Sequence, residues 1–224
     1  MTERISISRE RWEALVAAID GVTGSMQDVP ASVPTVTAPS APVAEGRPAL
    51  AWGQKVSQTF RDRVWWISDT LTAAQGGLFD ANNLMACMAW ESGESFSASV
   101  KNMAGSGATG LIQFMPTTAT SLGTTTAKLA AMTAENQLNY VYKYFVAAIK
   151  TRGAILSLED MYMAILWPAA VGKPNSYALF DKSKGPTAYR QNAGLDSNAD
   201  GVVTKYEAAA KVREKLEKGL KLAA

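Results

Sequence analysis

Apolar residues recur at helical spacing through most of the chain after residue 50. In the segment 57–74, Phe60, Val64, Ile67 and Leu71 fall on one stripe of a helix. The same spacing predicts helices over about 80–91, 116–121, 134–149, 158–167 and 205–219. No stretch alternates apolar and polar residues over several strands, so the pattern predicts a mainly α domain over residues 51–192. No apolar run is long enough to cross a bilayer, and we expect no transmembrane segment.

The first fifty residues follow a different pattern. Residues 6–20 predict a short amphipathic helix that Ser8 can cap. Five of the nine prolines then fall within residues 29–50, which is typical of an extended, semi-rigid linker. We therefore separate an N-terminal segment, residues 1–28, which is either a docking or oligomerisation peptide or an unstructured leader. Its early charges and lack of an apolar stretch predict no secretory signal.

Composition narrows the available chemistry. The chain has no histidine, which excludes Ser–His and Cys–His catalysis and a His-ligated zinc site. Its one cysteine, Cys87, lies in an apolar run and predicts a buried, inert thiol. Acid–base chemistry must therefore use carboxylates, tyrosines or lysines. The net charge of +2 gives no reason to expect nucleic acid as a partner. A basic C-terminal stretch is either a contact for an anionic surface or a solvated helix face: Lys211, Arg213, Lys215, Lys218 and Lys221.

The predicted helix 81–91 is the first candidate for chemistry. It is apolar on nearly every face, which is typical of a buried helix, and Asp80 and Ser92-Gly93 suit its two ends. Its last residue is Glu91. Burial and the negative end of the helix dipole both destabilise the carboxylate and raise its pKa, as a general acid working near neutrality requires. The alternative is a glutamate that reaches solvent at a helix end.

A loop dense in glycine follows over residues 105–116. Glycines let the backbone approach a bulky ligand closely, and exposed N–H and C=O groups suit the polar groups of a sugar. Glu91-Ser92, followed by GATGLIQFMP over residues 107–116, resembles the signature of the lytic transglycosylase and goose-type lysozyme superfamily in order and spacing. The resemblance covers roughly residues 52–190 and is closest to phage-encoded cell-wall hydrolases.

The resemblance implies a lysozyme-like, transglycosylase-type fold and an enzyme that cleaves peptidoglycan without a catalytic cofactor. It assigns Glu91 as the acid/base, and it predicts that the glycan contacts Ser92, Gly110, Gln113 and Phe114. Many family members continue with an Ala-Tyr-Asn motif whose tyrosine supports the catalytic glutamate.

At the corresponding place this chain has Trp167-Pro168 instead of Tyr-Asn. We therefore expect Tyr162, just over one turn earlier, to supply a hydroxyl, and Trp167 to stack on a sugar ring. The alternative is that both are core aromatics.

The reaction type depends on a second carboxyl, because retaining and inverting hydrolases need two at defined separations. Glu94 is three residues from Glu91, and we interpret it as a surface residue or a structural partner. With Glu91 acting alone, the resemblance implies cleavage between N-acetylmuramic acid and N-acetylglucosamine with a 1,6-anhydro product. A water-using muramidase is the alternative.

The segment 196–207, DSNADGVVTKYE, fits the twelve-residue EF-hand loop at its defining positions. It predicts a structural Ca²⁺ site in which Val202 contributes its backbone carbonyl, Thr204 binds directly or through water, and the remaining ligands are Asp196, Asn198, Asp200 and Glu207. Gly201 makes the turn, and the chain has no partner loop. We expect the loop to hold the C-terminal segment, 193–224, onto the preceding domain. The alternative is a metal-free turn.

These features favour an enzyme that degrades bacterial peptidoglycan for a bacteriophage, either as a free endolysin delivered by the lysis machinery or carried in the particle. It would act at the cell wall or in the periplasm. One rival is a non-catalytic glycan-binding or virion structural protein that keeps the fold, which the missing Tyr-Asn favours. A second rival is a calcium-binding interaction module docked through the N-terminal helix.

Overall fold

The computed structural model describes residues 47–102 and 106–223. The helix predicted over residues 6–20 and most of the proline-rich linker lie outside the described residues, as do residues 103–105 of the glycine-dense segment.

The described residues are mainly helical, which confirms the predicted class. The helices are α1 (Gln58–Gln75), α2 (Ala81–Glu91), α3 (Pro116–Ser121), α4 (Thr126–Ala130), α5 (Ala134–Arg152), α6 (Leu158–Leu166), α7 (Pro186–Asn192), α8 (Lys205–Ala208) and α9 (Ala210–Ala223). Short 3₁₀ turns cover Gly53–Lys55, Pro168–Ala170 and Ala193–Leu195. The single helix predicted over 205–219 is instead two, divided at Ala209. Helices α4 and α7 escaped prediction because so few turns show no clear periodicity.

A two-stranded antiparallel sheet pairs β1 (Ala178–Asp181) with β2 (Val202–Thr204), and α7 lies between them in the chain. Phe180 pairs with Val203, and the register is irregular between Ala178 and Phe180. Strand β2 lies inside the predicted calcium loop. Neither strand is long enough to show the alternation by which a sequence reveals β structure.

Side-chain caps begin most of the longer helices. Ser57, Asp80, Thr133 and Ser157 each accept a hydrogen bond from the backbone N–H three residues later. These bonds satisfy amides that have no partner within the helix, so the sequence fixes where each helix starts.

Helix α2 lies at the centre of the core, and its residues 84–89 have no measurable exposure. It packs against α1, α6 and the C-terminal α9. Val203, Ala208 and Val212 belong to the same hydrophobic cluster, so the segment after residue 193 contributes to the core that surrounds α2. Within the described residues, no helix is long and apolar enough to cross a membrane.

Candidate active site

Glu91 ends α2, and Ser92 follows as its C-cap. The side chain is partly exposed, yet burial raises the pKa of its carboxyl to about 7. The rise has no charged contributor among the described residues, and within them the Glu91 side chain forms no hydrogen bond or ion pair. The carboxyl is therefore free to exchange a proton with a ligand near neutral pH.

Two phenols lie close to Glu91. After burial, the charge of Glu91 is the next cause that raises the pKa of Tyr144, to about 12, and of Tyr162, still higher. Tyr144 donates its hydroxyl proton to the Ala164 carbonyl. The Tyr162 hydroxyl accepts a hydrogen bond from Trp90 Nε1 at 3.1 Å, and its own proton has no acceptor in the described part of the chain. The sequence predicted Tyr162 as a site residue but not Tyr144, because Tyr144 lies within the apolar pattern of α5 and no motif distinguishes it.

The glycine-dense segment folds back on itself, and its Phe114 ring contacts Tyr144. Thr109 and Phe114 exchange two backbone hydrogen bonds, of 3.1 and 2.9 Å, and Gly110 N donates to Val100 O at 2.8 Å. Gln113, in the turn between them, has a left-handed backbone with a φ of 51°. Its side-chain amide donates to Gly110 O at 3.0 Å, which braces the turn while part of the side chain stays exposed.

A buried amide from α5 holds this turn from behind. Gln137 accepts a hydrogen bond from Leu111 N at 2.7 Å and donates to Ala98 O and Leu129 O at 3.0 and 2.9 Å. A Cβ on Gly110 would lie 2.3 Å from Gln137 Oε1, and Gly110 has a φ of +86°. Glycine is therefore required there on two counts. The sequence did not predict Gln137 as part of the site. The one signal that could have found it is an amide side chain among the apolar residues on the buried face of α5.

Of the other residues predicted to contact the glycan, Ser92 and Phe114 are buried and Trp167 is exposed. Ser92 is buried; its hydroxyl donates to Met88 O at 2.7 Å and accepts from Phe96 N at 3.0 Å. Phe114 is also buried, with its ring edge-on to Tyr144. Trp167 is 40% exposed and packs against Phe180 at 5.4 Å between ring centroids. Trp167 and Gln113 can thus contact a ligand, while Ser92 and Phe114 support the site from within.

Glu94 is the carboxylate nearest to Glu91 in sequence, and it is engaged elsewhere. Its oxygens accept from Lys215 Nζ at 2.5 Å and from Lys218 Nζ at 2.7 and 2.8 Å. These hydrogen bonds are the main cause that lowers the pKa of Glu94. Two further basic residues of α9 are also paired: Lys211 with Glu214, and Arg213 with Glu159. The basic C-terminal stretch is thus largely ion-paired within the domain.

The EF-hand-like loop is closed by its own hydrogen bonds. Asp196 Oδ2 accepts from Tyr189 Oη at 2.7 Å and from Gly201 N at 2.9 Å. Glu207 Oε2 accepts from Thr204 N and Oγ1 at 2.9 and 2.7 Å, which caps α8. Two short side-chain turns lie between, with Asn198 Oδ1 accepting from Asp200 N and Asp200 Oδ1 from Val202 N.

No group of three or more His, Cys, Asp or Glu side chains is arranged to hold a metal ion among the described residues. The loop does offer an oxygen that could bind a metal ion, since Asp196 Oδ1 is buried without a hydrogen-bond partner. Asn198 and Asp200 are exposed, and Gly201 has the left-handed backbone, with a φ of +88°, that the loop pattern requires. Asp196, Asn198 and Asp200 therefore fit a hard cation, whereas Glu207 would have to exchange its capping bonds for one.

A scan of protein-family models and searches of curated proteins and of solved structures found no match to the chain.

Proposed function

We propose that the chain is a peptidoglycan-cleaving enzyme that breaks the β-1,4 bond between N-acetylmuramic acid and N-acetylglucosamine, with Glu91 as its general acid. The observation that carries the proposal is the carboxyl of Glu91, whose pKa burial raises to about 7 at the end of the central helix. Such a carboxyl is about half protonated at neutral pH, and its protonated form can deliver a proton to a glycosidic oxygen. The motif resemblance of residues 91–92 and 107–116 supports the same assignment.

The reaction needs one carboxyl acting twice. Glu91 donates its proton to the bridging oxygen as the bond from that oxygen to C1 of the muramic residue breaks. The C6 hydroxyl of the same residue then bonds to C1 and returns its proton to the Glu91 carboxylate. The products are a new free hydroxyl on glucosamine and a 1,6-anhydro muramic end. A lytic transglycosylase is favoured over a hydrolase because Glu94 is held by two lysines and no other carboxylate contributes to the pKa of Glu91 within the described residues.

The neighbouring groups have distinct roles in this proposal. Tyr162, whose ring is fixed by Trp90, keeps a hydroxyl proton that it can donate to the Glu91 carboxylate once that group has given up its own proton. Trp167 offers an exposed ring face on which a sugar can stack. The exposed part of Gln113 lines the glycan, whereas the buried Gly110 shapes the turn that carries Gln113, and Gln137 keeps that turn in place.

We also propose a structural Ca²⁺ in the loop, with Asp196, Asn198 and Asp200 as side-chain ligands. The carbonyl of Val202, Thr204 directly or through water, and Glu207 would complete the set. When bound, the ion would offset the repulsion among the loop carboxylates and would take no part in the reaction. The unpartnered Asp196 Oδ1 supports the site.

The substrate places the action at the bacterial cell wall. A bacteriophage origin, with delivery by lysis machinery or within the particle and docking through residues 1–28, is part of the proposal and is supported by the sequence resemblance alone.

Release of dye from labelled, purified sacculi tests the activity. We expect Glu91→Gln to lower the rate by a factor of about 10² to 10⁴, because glutamine keeps the size of the side chain but cannot deliver a proton. Glu217→Gln, the same change at an exposed glutamate of α9, is the matched control and should be fully active. Wild-type protein that sediments with sacculi but releases nothing would favour the glycan-binding alternative.

A further inference from the structure

The backbone that follows Glu91 is held in unusual conformations. Gly93 and Glu94 have φ values of 60° and 66°, and Phe96 has a φ of 49°. The left-handed region disfavours residues with a side chain, so it persists at Glu94 and Phe96 only where surrounding contacts enforce it. The segment 92–96 therefore depends on its neighbours for its shape.

Contacts from two directions hold this segment. Inside the helix end, Glu94 N donates to Ala89 O at 2.7 Å, and the buried Ser92 hydroxyl accepts from Phe96 N. From outside, the Glu94 carboxylate is held by Lys215 and Lys218, which lie nearly one turn apart on α9. The Glu94 and Lys215 side chains are 22% and 25% exposed, whereas Lys218 is 53% exposed, so water screens the contact with Lys218 more than the contact with Lys215.

Helix α9 is itself anchored independently of those lysines. Trp52 Nε1 donates to Lys215 O at 2.9 Å, and Trp52 N donates to Gly219 O at 3.3 Å. A Cβ on Gly219 would lie 2.4 Å from the Trp52 ring, so helix and indole are in direct contact. The same indole packs against Phe96, with 6.2 Å between the ring centroids. The segment 92–96 is thus tied to the C-terminal helix directly at Glu94 and through Trp52 at Phe96.

We infer that Glu94, clamped by Lys215 and Lys218, is a positioning residue for Glu91, and that α9 completes the active site. This inference rests on the proposed function, which makes Glu91 the acid. Glu94 then acts through the backbone of residues 92–94, and not as a second acid or base.

The direction in which the pKa of Glu91 shifts when a lysine is removed distinguishes positioning from a simple charge effect. The titratable groups facing Glu91 are Cys87 on α2, Tyr144 on α5 and Tyr162 on α6, and all are neutral near pH 7. If the clamp keeps the carboxyl buried, loosening it from either side admits water and lowers the pKa of Glu91. If the lysines acted only through charge, their removal would raise that pKa, because a nearby positive charge stabilises a carboxylate.

The decisive experiment follows the pKa of Glu91 by ¹³C NMR titration of the full-length protein, with Glu91→Gln used to assign the signal. The variants are Glu94→Gln, Lys215→Gln and Lys218→Gln. Lys211→Gln is the matched control, since Lys211 lies on the same helix but pairs with Glu214. We expect the pKa of Glu91 to fall in all three clamp variants and to stay unchanged in the control. A rise in the lysine variants, or no shift in any variant, would overturn the inference.

Activity is then measured on labelled sacculi for Glu94→Gln, for the double variant Lys215→Gln/Lys218→Gln and for the triple variant that combines all three changes. We expect kcat to fall by about ten- to a hundredfold in Glu94→Gln and in Lys215→Gln/Lys218→Gln, as for misplacement of a reacting group. The triple variant should be no worse than either, because all three changes break one unit. A Glu94→Gln loss far larger than that of the lysine pair would identify Glu94 as a second acid and overturn the inference. Because the NMR titration does not depend on turnover, an inactive wild type would reject the proposed function while leaving the positioning of Glu91 separately measured.

Discussion

Trp90 donates its indole N–H to the Tyr162 hydroxyl at 3.1 Å. The residue beside Glu91 in sequence thereby fixes a phenol that lies beside Glu91 in space. The hydrogen bond occupies an acceptor position of the hydroxyl and leaves its proton available, which is the orientation a neighbouring carboxylate needs.

We expect Tyr162→Phe to lower turnover by about tenfold and to move the upper pH limit of activity to higher pH. When Glu91 ionises, the free hydroxyl proton of Tyr162 can turn to the carboxylate and stabilise it, so loss of the hydroxyl raises the pKa of Glu91. Trp90→Phe should produce a smaller change in the same direction. Rate–pH profiles on sacculi measure both effects, with the exposed Tyr177→Phe as control. Profiles of Tyr162→Phe that coincide with wild type would remove Tyr162 from the site.

Glu91 should also make the stability of the fold depend on pH. Its pKa is about 7 in the folded chain against an ordinary value of 4.5, so between these values the folded state binds more protons than the unfolded state. Stability therefore falls as pH rises through this window. We expect Glu91→Gln to match wild type at pH 4 and to exceed it at pH 8 by about 2–3 kcal/mol, roughly 5–10 °C in Tm. Thermal melts at the two pH values measure this, and an equal difference at both would contradict the buried acid.

Gly110 should tolerate no side chain. Gly123 has a similar left-handed backbone, with a φ of +76°, but open space around it. Gly123→Ala therefore isolates backbone strain, about 1–2 kcal/mol of unfolding free energy. Gly110→Ala should cost at least about 2 kcal/mol more, because the methyl group displaces Gln137. Denaturant unfolding of both variants gives the comparison. Equal losses would show that Gln137 does not restrain the turn.

Calcium should raise the melting temperature of the wild-type protein relative to chelator, by mass action on the folded state. Glu207→Ala is a poor test alone, because Glu207 caps α8 and its loss destabilises the chain without metal. Asp200→Asn is sharper, since it removes charge while keeping an oxygen that can accept from Val202 N. We expect Asp200→Asn to melt near wild type in chelator and to gain less from calcium. Identical wild-type melts in both conditions would show that the loop is only a turn.

Most of the helices could be predicted because caps and apolar stripes are local signals. Asp80 and Ser92-Gly93 mark the two ends of α2 as expected, and the apolar run between them is buried. The pairing of β1 with β2 could not be predicted. Phe180 and Val203 come from segments that are far apart in sequence, and each strand is too short to show alternation.

Sequence patterns predicted only some of the residues of the candidate site. Glu91 and the glycines stand out because their residue types are costly or rare in those places. Tyr144 and Gln137 lie on α5, where only the packing of that helix brings them to Glu91 and to the 107–116 turn. Likewise, the pairing of Glu94 with Lys218 spans 124 residues, and no local pattern encodes it.

Glu91 should cleave glycan strands as the sole acid and base of the site. Mass spectrometry of the products released from purified sacculi in ¹⁸O-labelled water examines this, with wild type and Glu91→Gln compared at equal concentration. We expect wild type to release muropeptides with 1,6-anhydro ends and no incorporated ¹⁸O, and Glu91→Gln to release almost no muropeptides. Products with ¹⁸O-labelled reducing ends, or the same products from Glu91→Gln at the wild-type rate, would contradict it.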